Sequence, residues 1–270
     1  MKKIFIKYTS ITATVAIFLI LCMNLLLTQH QQKSQQFDSF YSKLEQVIHT
    51  LENNQEDLRL LNESLDEDYL TRAKAAAYVL DRQEEISLDV DEMQYLANLL
   101  NVDEVHVIDR SGFIVYSSVS AYIGIDMDDH DQTRPFLDLI HDNENAFLIP
   151  EARPNAAEGR IMQYVGVARR DQMGVTQVGF KPTRQLAAQS RNTYDYIFSK
   201  FPTNIGEELF VVDAATGEML GHSGGLTGSY SAECYQADAL PGCTKGAYLT
   251  GALGQPMYVV SRRYNNVYLC

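Results

Sequence analysis

VHVIDRSGFIVYSS, Val105 to Ser118, is the stretch from which the fold can be read. Apolar residues alternate up to an Asp, a turn with Gly112 follows, and a second apolar run ends in Tyr116, Ser117 and Ser118. A period of two, bounded by Asp and Gly, predicts a β-hairpin. LFVVDAATGEMLGHSG, Leu209 to Gly224, repeats the order with one extra residue in its turn. Downstream of each hairpin lies a second echo: VARRDQM, Val167 to Met173, returns as VSRRYNN, Val260 to Asn266. Two matched hairpins in one order predict a duplicated domain.

The segments around these hairpins give the rest of each module. VDEMQYLANLL, Val90 to Leu100, has the pattern of a short amphipathic helix, and TRPFLDLI, Thr133 to Ile140, that of a helical turn. RIMQYVGVARR (Arg160 to Arg170) and VTQVGF (Val175 to Phe180) read as strands joined by DQMG. Lys181 to Phe201 reads as a linking helix with Pro182 in its first turn. Antiparallel hairpins flanked by helices make an α+β fold.

Upstream, Ile11 to Thr28 contains no charged residue, and Lys2, Lys3 and Lys7 precede it. Eighteen helical residues span about 27 Å, enough for a bilayer core. The lysines predict a cytoplasmic N-terminus, and the lack of a small-x-small site after Thr28 favours an uncleaved anchor over a signal peptide. Everything beyond would then be extracytoplasmic. Phe37, Leu44, Leu51, Leu58 and Leu65 follow at steps of seven, and YLTRAKAAAYVL, Tyr69 to Leu80, is rich in alanine. This predicts a long helix whose heptad-like stripe pairs two copies as a parallel homodimer, or packs on its own domain. The expected divisions are 1–10 cytoplasmic, 11–28 transmembrane, 32–82 long helix, 83–182 membrane-distal module, 183–203 linking helix and 204–270 membrane-proximal module. The second module stops at VYLC, inside its last strand, so a further membrane helix and a cytoplasmic output are expected beyond Cys270.

The net charge of −13 argues against nucleic acid as a partner. No GxSxG, HExxH, P-loop or Rossmann glycine string is present, so no catalysis and no cofactor are expected in these residues. The acidic run DMDDHD, Asp126 to Asp131, lacks the glycine and distal glutamate of a calcium loop, and no Cys/His spacing suggests zinc, so no metal is expected. Cys234 and Cys243 bracket a Pro-Gly turn and are spaced to bridge in an oxidising compartment; two free thiols are the alternative.

Anchor, long helix and two strand–Asp–turn–Gly–strand modules together resemble a double Cache sensor, built from PAS-like units. VHVIDRSGFIVYSS, TRPFLDLI, YVGVARRDQMGVTQVGF and LFVVDAATGEMLGHS carry the resemblance, which covers about residues 32–270. It implies an extracytoplasmic receptor region of a membrane-bound signal-transduction protein. A small molecule would bind the first module, and the output would be a histidine kinase, a diguanylate cyclase or a chemotaxis module. A surface-anchored structural or adhesive ectodomain is the alternative. Members that bind amino acids carry an Arg followed by two aromatics after the long loop, and an Asp after the final strand. Here Arg134 matches the Arg and Phe136 the first aromatic, Leu137 replaces the second, and Lys181 stands where the Asp would be. Arg134 with Lys181 suits a carboxylate or another anion. Tyr116 and Tyr164 complete the expected ligand-binding set, with core packing as their alternative role. His106 and His222 are expected to be ordinary strand histidines.

Overall fold

In a computed structural model, the described residues are 2–83, 86, 89–141, 146–155, 158–223, 237–250 and 256–270. Helix α1 runs unbroken from Lys2 to Leu80 and joins the apolar span to the predicted long helix. It contains an 18-residue window of mean hydropathy 1.7, none of it buried, and is long and apolar enough to cross a membrane. The chain divides into two compact units, residues 56–190 and residues 1–55 with 191–270. Helix α1 contributes to both. The stripe of leucines packs inward within each: Leu44 and Leu51 belong to the core of one unit and Leu65 to that of the other.

In the 56–190 unit, helix α2 (Val90–Leu99) starts at Asp89, whose side chain accepts from the Asp91 amide at 2.8 Å and so satisfies one free donor of the first turn. The strands are β1 (Glu104–Ile108), β2 (Ile114–Ser117), β3 (Phe147–Leu148), β4 (Arg153–Pro154), β5 (Ile161–Ala168) and β6 (Val175–Phe180). They form an antiparallel sheet in the order β2-β1-β6-β5-β3, with β4 also on β5. TRPFLDLI is a 3-10 segment, Arg134–His141.

Alternation gives this sheet two distinct faces. Val105, Val107, Val165, Val167, Val178 and Phe180 pack against Leu65, Tyr69, Ala73, Ala76, Ala77 and Leu80 of α1. The three alanines let the helix lie close to the sheet, and the Tyr69 ring stacks on Phe180 at 3.8 Å. The other face carries Ile108, Ile114, Met162, Tyr164 and Val175 under Tyr122, Met127, Phe136, Leu139 and Ile140.

The second unit repeats this plan. After α3 (Thr183–Arg191) and α4 (Tyr194–Phe198) come β7 (Phe210–Asp213), β8 (Met219–His222), β9 (Ala247–Thr250), β10 (Pro256–Val259), β11 (Arg262–Tyr264) and β12 (Val267–Leu269). Its main sheet has the order β11-β12-β7-β8, matching β5-β6-β1-β2, while β9 and β10 pair separately. The repeat extends to single hydrogen bonds. Asp109 Oδ1 accepts from the amides of Ser111 and Phe113, as Asp213 Oδ1 does from Ala215 and Thr216. Ser118 Oγ accepts from the Val105 amide at 2.9 Å, and Ser223 Oγ from the Leu209 amide at 3.0 Å. One local rule, an Asp that closes the turn and a Ser that ties off the second strand, builds both hairpins.

Candidate functional site

The face of the 56–190 sheet turned away from α1 holds a buried polar cluster among its apolar residues. Glu104 and His106 alternate with Val105 and Val107, so strand geometry turns both polar side chains away from the helix. Across the sheet, Glu104 pairs with Gly179, which pairs with Tyr164; His106 pairs with Ser117 and Gln177, and Gln177 with Gly166. Two glycines make this arrangement possible. A Cβ on Gly179 would lie 2.7 Å from Tyr164 Cε1, so its absence lets that ring cross a strand to reach Glu104. A Cβ on Gly166 would lie 2.5 Å from Phe136 Cδ1, so its absence seats the Phe136 ring on the sheet.

A chain of hydrogen bonds leads through two tyrosines to Glu104. Asn155 Nδ2 donates to the Tyr122 hydroxyl at 2.6 Å, the Tyr122 and Tyr164 hydroxyls lie 3.2 Å apart, and Tyr164 donates to Glu104 Oε2 at 2.6 Å. His106 Nε2 meets the same carboxylate at 3.3 Å, and its Nδ1 lies 2.9 Å from Ser117 Oγ. The His106 ring also lies 4.7 Å from that of Tyr122. Glu104 is 6% exposed and His106 fully buried. Burial alone would push the Glu104 carboxyl up; hydrogen bonds from His106 and Tyr164 outweigh it and hold the group below its ordinary value. Burial and the Glu104 charge both push the Tyr164 phenol up, so it stays a donor. Gln177, 2% exposed, has no partner for its Nε2 among the described residues. An unsatisfied buried donor costs about 1–3 kcal/mol.

The residues expected from sequence divide by position. Phe136 and Tyr164 are buried on this face. Tyr116 packs on the opposite face, with the α1 cluster. Arg134 is exposed, with Nε 2.8 Å from Asp128 Oδ1 and Nη1 3.2 Å from Asp131 Oδ1. Lys181 is exposed and lies 2.9 Å from Asp103. Cys243 is buried, whereas the Cys234–Cys243 pairing involves a position outside the described residues. Sequence reasoning passed over Glu104, Gln177, Tyr122 and Asn155. The usable signal was two polar side chains, Glu104 and His106, on one face of a central strand.

At the equivalent row of the other unit the polar groups are replaced. Phe210 stands for His106, and it exchanges both backbone hydrogen bonds with Cys270, which stands for Gln177. These two side chains join Val212, Leu240, Cys243 and Val259 in an apolar cluster. A Glu–His contact persists between Glu208 and His222, at 3.2 Å, with Glu208 half-exposed.

No protein-family description and no curated protein matches the chain. Solved structures do. The ligand-binding domain of the Campylobacter jejuni chemoreceptor Tlp3, in complex with 4-methylisoleucine, is 13% identical over 86% of this chain and 90% of its own, with a TM-score of 0.37. The ligand-binding domain of the Pseudomonas fluorescens chemoreceptor CtaA, in complex with L-alanine, is 16% identical over 81% and 92%, with a TM-score of 0.39. The extracellular domain of a proposed histidine kinase, rpHK1S-Z16, is 18% identical over 81% and 93%, with a TM-score of 0.34.

Proposed function

We propose that this chain is the extracytoplasmic sensing region of a membrane-anchored receptor and that its small-molecule ligand binds in the 56–190 unit at the Glu104 cluster. The observation that carries this reading is the buried hydrogen-bond network ending on an ionised Glu104. A hydrophobic core does not need such a network, because a buried charge with its donors stabilises no better than apolar packing of the same volume. A buried carboxylate perturbed by specific partners is a functional-site candidate. The opposite face of the same sheet packs on the helix that continues into the apolar span, which gives a ligand-dependent shift of the sheet a direct route toward the membrane. No catalytic role is proposed for these residues.

The donor set favours a small polar ligand with a hydrogen-bond donor for Glu104 and an acceptor for Gln177 Nε2. Amino acids carry both. A purely anionic ligand at the outer residues would have to draw Arg134 from Asp128 and Asp131, and Lys181 from Asp103. A thermal-shift panel of amino acids, amines and dicarboxylates separates the readings. Glu104→Gln and Gln177→Ala are expected to abolish the shift given by the best ligand, and Arg134→Ala to leave it. Loss in Arg134→Ala and Lys181→Ala with retention in Glu104→Gln would instead support the anion site. No shift from any compound, with the protein folded, would favour a structural ectodomain.

A further inference from the structure

The 1–55 and 191–270 unit buries two thiols in one small cluster. Cys243 (0% exposed) belongs to the 3-10 segment Ala237–Lys245, and Cys270 (7%) follows β12. Both pack with Phe210, Val212, Leu240 and Val259 on the sheet face turned away from α1. Their backbones are fixed independently. Cys270 exchanges two hydrogen bonds with Phe210, at 3.0 and 2.9 Å, and the Cys243 carbonyl accepts from the Ser261 amide at 3.1 Å. Both are free thiols in this structure, and burial raises the Cys270 thiol well above its ordinary value. Burial also raises the Cys243 thiol.

We propose that Cys243 and Cys270 form a disulfide that clips the 3-10 segment to the sheet, across the row where the other unit keeps its polar residues. Cys243 pairs here with the far end of the sheet rather than with its sequence neighbour Cys234. Each thiol loses its proton and the pair loses two electrons; one S–S bond forms, and the disulfide of a thiol-oxidoreductase-class oxidant is reduced to a dithiol. The folded environment keeps both thiols protonated and shielded, and only a thiolate attacks a disulfide. The bond therefore forms while the 3-10 segment is still open during folding. Once closed, it resists soluble reductants until the unit unfolds.

The test uses the whole chain, exported in a bacterial host and purified in detergent. It is denatured in iodoacetamide without reductant and mapped by peptide mass, with oxidised glutathione refolding as a second preparation. The expected result is a linked Cys243–Cys270 peptide in both preparations, with Cys22 and Cys234 alkylated. The link should persist in Cys234→Ser and disappear in Cys270→Ala. A linked Cys234–Cys243 peptide, or alkylation of all four cysteines in both preparations, would overturn the proposal. The wild-type map decides even if a variant fails to fold.

Discussion

At the scale of single residues, Glu104 is the group on which the unit's polar interior depends. Its folded pKa lies below the ordinary 4.5, so the stability it contributes is fully present above that value and is lost as pH falls through the lower folded value. Glu104→Gln should flatten the acid limb of the melting curve below pH 4.5, measured by circular dichroism from pH 2 to 6. Tyr164→Phe removes a hydrogen bond to a charged acceptor and should cost about 1.5–3 kcal/mol in urea unfolding. In the other unit, Lys43 and the Asn204 backbone hold the Glu207 carboxyl down at about 2, against burial that raises it. The linkage has the same sign: this contribution fades as pH drops from 4.5 toward 2, and Glu207→Gln should remove that slope. These roles were only half legible in the sequence. Tyr164 stood out as an aromatic residue on a strand, but Glu104 and Gln177 look like ordinary strand polar residues until register sets them on one face. Tyr122 comes from the one-turn 3-10 helix Ser120–Tyr122 and Asn155 from a loop, and no periodicity encodes the position of either.

At the scale of elements, the hairpins could be read because their signals are local. Alternation, an Asp that closes the turn and a closing Ser lie within one short stretch of each hairpin, and the Asp and the Ser make their own hydrogen bonds. Strand order is a longer-range property. That β6 lies between β1 and β5 is what sets Gly179 between Glu104 and Tyr164. Gly179→Ala should push the Tyr164 ring off Glu104 and cost about 1–3 kcal/mol, the range for overpacking a core. Retention of wild-type stability would mean that Tyr164 has room to move. The heptad stripe was legible as a stripe but not in its destination, because an amphipathic helix pairs equally well with a second helix or with a sheet. Leu44→Ala, deep in its own unit, should cost about 2–5 kcal/mol.

At the scale of the molecule, two units share one topology but differ in the chemistry of one sheet face: Glu104, His106 and Gln177 in one, Phe210 and Cys270 in the other. That difference is why we propose one unit as the sensor and treat the other as apolar scaffold. Homodimerisation remains a proposal for light scattering of the detergent-solubilised chain. With Leu44, Leu51 and Leu65 buried in their own units, a dimer through the helix would have to use other positions, so Leu-to-Ala changes at these three should lower stability without changing the mass. The central claim is that a ligand engages the polar face of the 56–190 unit and alters the helix packed on its other face. Amide hydrogen exchange of the whole chain, with and without saturating amounts of the strongest compound from the amino-acid, amine and dicarboxylate panel, tests it most directly. The account predicts added protection in residues 104–108, 161–168 and 175–180, together with changed exchange in 65–80 of α1. Protection confined to residues beyond 207, or binding with no change in the 56–190 unit, would contradict it.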